Sequence, residues 1–154
     1  MLGIELGRAQ QNADGIPSNV GVLSIKSVNK AMSEASLRSN PKELFGPFWF
    51  EGEIGCLFAD SNAGKSILAV QIAEDIAKNY KVLYFDFELY DKQFQLRYTD
   101  SQGNLHHFPA TLYRVSLDPD NLANLDLPFE EAVIRDIEKA AVACEANIII
   151  IDNI

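Results

Sequence analysis

Leu57-Phe58-Ala59-Asp60-Ser61-Asn62-Ala63-Gly64-Lys65-Ser66-Ile67-Leu68 decides how this chain is read. The run passes from apolar residues through small and polar ones into helix formers, the order of strand, loop and helix. Residues 59–66 fit the pattern G-x-x-x-x-G-K-[ST] at every fixed position except the first, where Ala59 replaces glycine. The pattern has a geometric basis: a tight loop turns its backbone N–H groups inward around a phosphate, and a helix start adds the positive end of its dipole. Gly64 lets the backbone come close. Lys65 is expected to reach the β- and γ-phosphates as a point charge, and the Ser66 hydroxyl to be a ligand of the accompanying Mg²⁺. Ala59, Asp60, Ser61, Asn62, Ala63 and Ile67 complete the expected phosphate-binding set. Alanine at the first position is tolerable if that residue keeps an ordinary negative φ, because glycine is mandatory only where φ is positive or backbone approach is closest.

Working outward, 154 residues with 47% hydrophobic and 10% aromatic content suit one globular domain with a real core. Acidic residues outnumber basic ones 22 to 13, a net charge of −9, so no broad electropositive face for nucleic acid is expected. The longest apolar runs are too short to span a bilayer and the N-terminus lacks a charged-then-apolar leader, so a cytoplasmic protein without a membrane partner is expected. Cys56 and Cys144 form no CxxC and read as reduced core residues.

Residues 1–19 show no sustained period and read as a lead-in. Val20 to Val28 suggests a short extended piece, and Asn29 to Arg38 a short helix ending before Asn40-Pro41. Residues 44–50 are a dense aromatic cluster closed by the turn Glu51-Gly52. Its rings either cap the core or border a base. Glu53 to Ala59 reads as a short apolar strand feeding the loop, and the apolar stripe from Ile67 to Ala77 as a helix ending near Lys78-Asn79. Lys81 to Phe87 is near-continuously hydrophobic, as a strand buried on both faces of a parallel sheet requires. Asp91 to Thr99 reads as helix, Asp100 to Pro109 as a polar loop whose His106 and His107 are surface residues, and Thr111 to Leu117 as a strand nearer the sheet edge. Asp118 to Leu127 reads as loop and Phe129 to Ala146 as helix, broken by Asn147. Ile148-Ile149-Ile150-Ile151 is a fully apolar strand ending in Asp152.

Strand and helix alternate, so the expected fold is α/β, a mainly parallel sheet with flanking helices. Ligands then sit outside the carboxyl ends of the strands. The loop, Glu88 and Asp152 all fall on that edge. An aspartate ending an apolar strand can hold Mg²⁺ through its waters, and a glutamate just past a neighbouring strand can orient and deprotonate an attacking water. Asp86 alternates onto the same face as Glu88, and either could instead be a surface or ion-paired acid.

These residues resemble the RecA-like P-loop ATPases, in particular the branch of replicative hexameric helicases, plasmid RepA-type helicases and related AAA-type ATPases of mobile elements. The resemblance runs from Gly46 to Asp152 and rests on Gly46–Glu53, Ala59–Ser66, Val82–Leu89 and Ile148–Asp152. In that branch the second strand ends in a water-activating glutamate followed by an arginine-bearing helix, as Glu88 and Arg97 do here. The resemblance implies ATP and Mg²⁺ as ligands and Lys65 and Glu88 as catalytic groups. It further implies metal contacts from Ser66 and Asp152, a homo-oligomer that is hexameric in the full-length family, and coupling to single-stranded DNA through segments not present here. It divides the chain into a lead-in over 1–45 and a partial ATPase domain over 46–154. In such folds a further strand lies between the aspartate strand and the phosphate-loop strand, so the domain is expected to be incomplete C-terminally, weak as an ATPase alone, and prone to associate through open strand edges. A nucleotide-sensing or assembly module without hydrolysis is the alternative expectation, and a phosphotransferase a third.

Overall fold

The computed structural model describes residues 15–123 and 125–152, and the chain divides into two compact units, Met1–Lys42 and Glu43–Ile154. In the first, β1 (Asn19–Val20) and β2 (Leu23–Ser24) pair antiparallel around Gly21, whose φ of 56° is the left-handed turn that glycine supplies without strain. Helix α1 (Val28–Ala35) follows, and its N-cap Ser27 accepts a hydrogen bond from the Lys30 N–H. Val22, Leu23, Val28 and Met32 are exposed within this unit.

The second unit holds the α/β architecture. A short antiparallel ribbon, β3 (Glu43–Phe45) and β4 (Trp49–Phe50), is joined by a 3₁₀ turn over Gly46–Phe48. Then come α2 (Lys65–Ala77), β5 (Val82–Asp86), α3 (Asp91–Arg97), β6 (Leu112–Val115), α4 (Pro119–Leu122), α5 (Phe129–Ala143) and β7 (Ile148–Asp152). The last three strands in space form a parallel sheet in the order β6-β5-β7, so the fully buried β5 is central, as its unbroken apolar run required. Residues 112–115 do lie at an edge.

Alternation along β5 divides the core. Val82 and Tyr84 share a cluster with Val70, Ala73, Ile76 and Ala77 of α2, joined by Ile148 and Ile150 of β7. Phe85 points the other way and lines a cavity of about 200 Å³ with Phe129, Ala132 and Val133 of α5. Phe45 and Trp49 pack against the α2 cluster, whereas Phe48 is exposed, so the aromatic run is only partly core. Asn147 does more than break α5. Its side-chain oxygen accepts the Lys81 N–H at 2.9 Å and its own N–H donates to the Lys81 carbonyl, which starts β7 in register with β5. Helix α5 ends three residues earlier than its period suggested, with Glu145 at φ 50° and the Ala146 N–H bonded back to Ala141.

Three sequence expectations are corrected. Glu53 to Ala59 forms no strand: among the described residues the ladders of the parallel sheet join β5 to β6 and β5 to β7, so this apolar run has no neighbouring strand edge to supply ladder hydrogen bonds. Ile54, Leu57 and Phe58 are exposed in consequence. Cys56, expected in the core as part of that strand, is exposed for the same reason, while Cys144 is half-buried at the end of α5. Residues 118–127 are not wholly loop, because Asp118 caps the short helix α4 by accepting the N–H groups of Asp120 and Asn121.

Candidate functional site

The residues expected to bind phosphate lead into the start of α2. Gly64 is its N-cap at φ 84°, and Asn62 also lies in the left-handed region at φ 63°. Ala59 is not among the positive-φ residues, which meets the condition for alanine there. A Cβ on Gly64 would meet no atom within 4 Å, so in the protein itself the backbone angle, not crowding, demands glycine. The first helical bond of this turn runs from the Leu68 N–H to the Gly64 carbonyl. The cap has no side chain to satisfy the N–H groups of Lys65, Ser66 and Ile67 that precede it.

Beside this helix start lies an open hollow of about 630 Å³ lined by Leu57, Phe58, Ala59, Asp60, Ala63 and Lys65. The Lys65 ammonium donates to the Ala59 carbonyl at 2.6 Å and the Asp60 carbonyl at 3.0 Å, so the cation is held across the loop mouth by the loop's own backbone. Ser61 and Asn62 are exposed at the loop tip, Ser66 is half-buried, and Ile67 is 47% exposed.

The acidic residues lie at the carboxyl ends of the parallel strands. Asp86 and Asp152 are register partners across β5 and β7, on the face that α2 covers. Asp152 Oδ2 accepts the Tyr84 hydroxyl at 2.7 Å. Tyr84 is 3% exposed, and burial first, then the bond to Asp152, holds its hydroxyl well above the ordinary tyrosine range. Glu88 is exposed on the bend just past β5. Neither Glu88 nor Asp152 lines the hollow beside Lys65.

Asp86 resolves the ambiguity its alternation left: it is a buried ion-paired acid, 3% exposed. Its Oδ1 accepts the backbone N–H groups of Glu88 at 3.1 Å and Leu89 at 3.0 Å, and its Oδ2 accepts Arg114 Nε at 2.9 Å. Arg114 also donates to Asp91 Oδ1 at 2.6 Å and to the Leu89 carbonyl, with its guanidinium 4.8 Å from the centre of the Phe94 ring. Sequence reading missed Arg114 and Tyr84. The one signal for Arg114 was a cation inside an alternating strand, and Tyr84 was hidden in an apolar run. His106, read as a surface residue, pairs with Glu74 at 2.9 Å. Among the described residues no group of three His, Cys, Asp or Glu side chains is placed to hold a metal.

A parallel sheet flanked by helices, with a Gly-Lys-Ser loop opening a helix beside it, defines an α/β protein of the P-loop NTPase kind. A family model described as AAA domain matches residues 23–154, and the chain belongs to that family, within the AAA and P-loop ATPase superfamily. The family supports nucleotide binding, with hydrolysis general among its members. No curated protein and no solved structure matches the chain. Among the described residues no helix is long and apolar enough to cross a membrane.

Proposed function

We propose that the second unit binds ATP with Mg²⁺ at the loop of residues 59–67 and hydrolyses the bond between its β- and γ-phosphates. The observation that carries this is the helix start at Gly64: uncapped N–H groups, two left-handed residues and a lysine ammonium converge on an open hollow. Those donors suit a polyphosphate. The Ser66 hydroxyl and the Asp152 carboxylate are hard oxygen donors of the kind Mg²⁺ takes, so the residues fit the metal as well.

In this reading Ala59 to Ile67 hold the phosphates through backbone N–H groups, and Lys65 leaves its two loop carbonyls to meet phosphate charge. Bound Mg²⁺ supplies neutralisation of the phosphate charge. Ser66 and Asp152 would hold it, the latter with one oxygen fixed by Tyr84. Glu88 accepts a proton from the attacking water and orients it. The coupled work, on single-stranded DNA or on a protein partner and by a homo-oligomer, rests on the resemblance alone; with a net charge of −9, a DNA contact would come from a local patch, from segments outside this sequence or from a partner. The reading also takes residues 1–45 as a lead-in and 46–154 as the ATPase domain.

One observation favours a second reading, nucleotide binding without turnover: residues 53–59, which anchor the loop, join no sheet. Calorimetric titration with ATP and phosphate release by three proteins separate the two. Lys65→Ala is expected to abolish ATP binding, and Glu88→Gln to bind ATP without turning it over. Unchanged ATP affinity in Lys65→Ala overturns the site. Tight binding without phosphate release by the unaltered chain, with or without single-stranded DNA, selects the second reading.

A further inference from the structure

We propose that Asp86 and Arg114 are positioning residues that fix the bend carrying Glu88, so that the glutamate reaches water in one defined orientation. This rests on the reading of Glu88 as the group that activates water. The bend begins where β5 ends, and among the described residues the ladders stop at Asp86. Two side chains restrain it. One carboxylate oxygen of Asp86 takes the N–H groups of both Glu88 and Leu89, and the other takes Arg114 Nε. The Arg114 fork then closes the ring by donating to the Leu89 carbonyl and to Asp91 at the first position of α3. The backbone on both sides of the Glu88–Leu89 peptide bond is therefore held by two side chains.

The burial of the pair makes the arrangement stiff. Asp86 is 3% exposed and the Arg114 side chain 18%, so water competes weakly for these bonds, and a buried carboxylate is strongly disfavoured once its cation is gone. A planar guanidinium satisfies three acceptors at fixed angles at once, which a lysine ammonium on a flexible stem does not reproduce. Arg114 sits on β6, paired in register with Tyr84, so its placement is set by the sheet rather than by the bend it restrains.

The test is a single-turnover measurement of ATP hydrolysis with protein in excess, on the whole chain carrying Asp86→Ala or Arg114→Lys, each also combined with Glu88→Gln. Arg114→Lys keeps a cation opposite Asp86, and with it the fold, should Asp86→Ala not fold. Either single change is expected to slow hydrolysis about 10- to 100-fold while ATP affinity stays within about twofold, because misplacing a reacting group costs rate rather than binding. Added to Glu88→Gln, either is expected to slow the residual single-turnover rate of that variant by no more than about threefold further, the non-additivity of residues acting through one another. The Glu88 and Leu89 amides should be protected from hydrogen exchange in the parent and lose protection in both variants. Parent-like rates in both single variants alongside an inactive Glu88→Gln overturn the clamp and leave the water-activating role standing. Multiplicative losses in the double variants also overturn it. Full turnover by Glu88→Gln overturns the role of Glu88, and the clamp with it.

Discussion

Tyr84→Phe isolates one hydrogen bond between the buried centre of the sheet and the acid expected to hold metal. The ring stays, so the packing of Tyr84 with Val82 and the α2 residues is preserved and no cavity forms. What goes is the 2.7 Å bond donated to Asp152 Oδ2. A hydrogen bond to a charged group is worth about 1.5–3 kcal/mol. Asp152 is only half-buried and water can replace the lost donor, which puts the cost at or below the bottom of that range, about 1–1.5 kcal/mol at pH 7. For a domain of this size that lowers Tm by about 4–6 °C.

The pH dependence carries a second sign. The Tyr84 hydroxyl is raised in the folded protein from its ordinary 10.0, first by burial and then by Asp152. The unfolded chain therefore releases this proton near pH 10 while the folded chain keeps it. Its contribution is complete below pH 10 and declines above it by about 1.4 kcal/mol per pH unit. Tyr84→Phe lacks this term, so the stability curves of parent and variant should converge above pH 10 and cross near pH 11. Tyr98, also raised by burial, is present in both proteins and cancels in the difference. Urea unfolding followed by circular dichroism from pH 7 to 11 measures both effects. Equal stability at pH 7, or parallel alkaline slopes, refutes the argument.

Two further outcomes follow from the loop. Gly64→Ala places a Cβ in open space but at φ 84°, so it is expected to cost about 1–2 kcal/mol of local strain and to weaken ATP binding at least tenfold as the loop relaxes; calorimetric titration reads the affinity, and unchanged binding would mean the left-handed turn is dispensable. Cys56 is exposed and Cys144 half-buried, so a maleimide should modify Cys56 at least about tenfold faster in the native protein, scored by mass spectrometry after proteolysis; equal rates would place residues 53–59 in a buried strand after all.

Much of the site was legible because its parts are local. The expected phosphate loop is a contiguous backbone pattern, so Gly64, Lys65 and Ser66 mark it by spacing, and Asn62 and Gly64 lie in the left-handed region there. An apolar run ended by an acid is likewise a one-dimensional signal, and it found β5, β7, Asp86 and Asp152. Arg114 and Tyr84 were not legible in that way. Arg114 meets Asp86 from 28 positions away and Tyr84 meets Asp152 from 68, through strand register that no local pattern encodes.

The strand expected over 53–59 shows the opposite limit. Its composition favoured extended structure, but a strand exists only against a neighbour, and the neighbour is a tertiary fact. By itself, then, the sequence determined the alternating helices and strands, the parallel class of the sheet, and the loop that opens α2, because periodicity and short-range backbone geometry are written residue by residue. Only the tertiary structure decided the order β6-β5-β7, the unpaired state of the segment ahead of the loop, and the conversion of Asp86 from an ambiguous acid into the anchor of the Glu88 bend. Those depend on which distant residues the packing of α2 against the sheet brings within hydrogen-bonding reach.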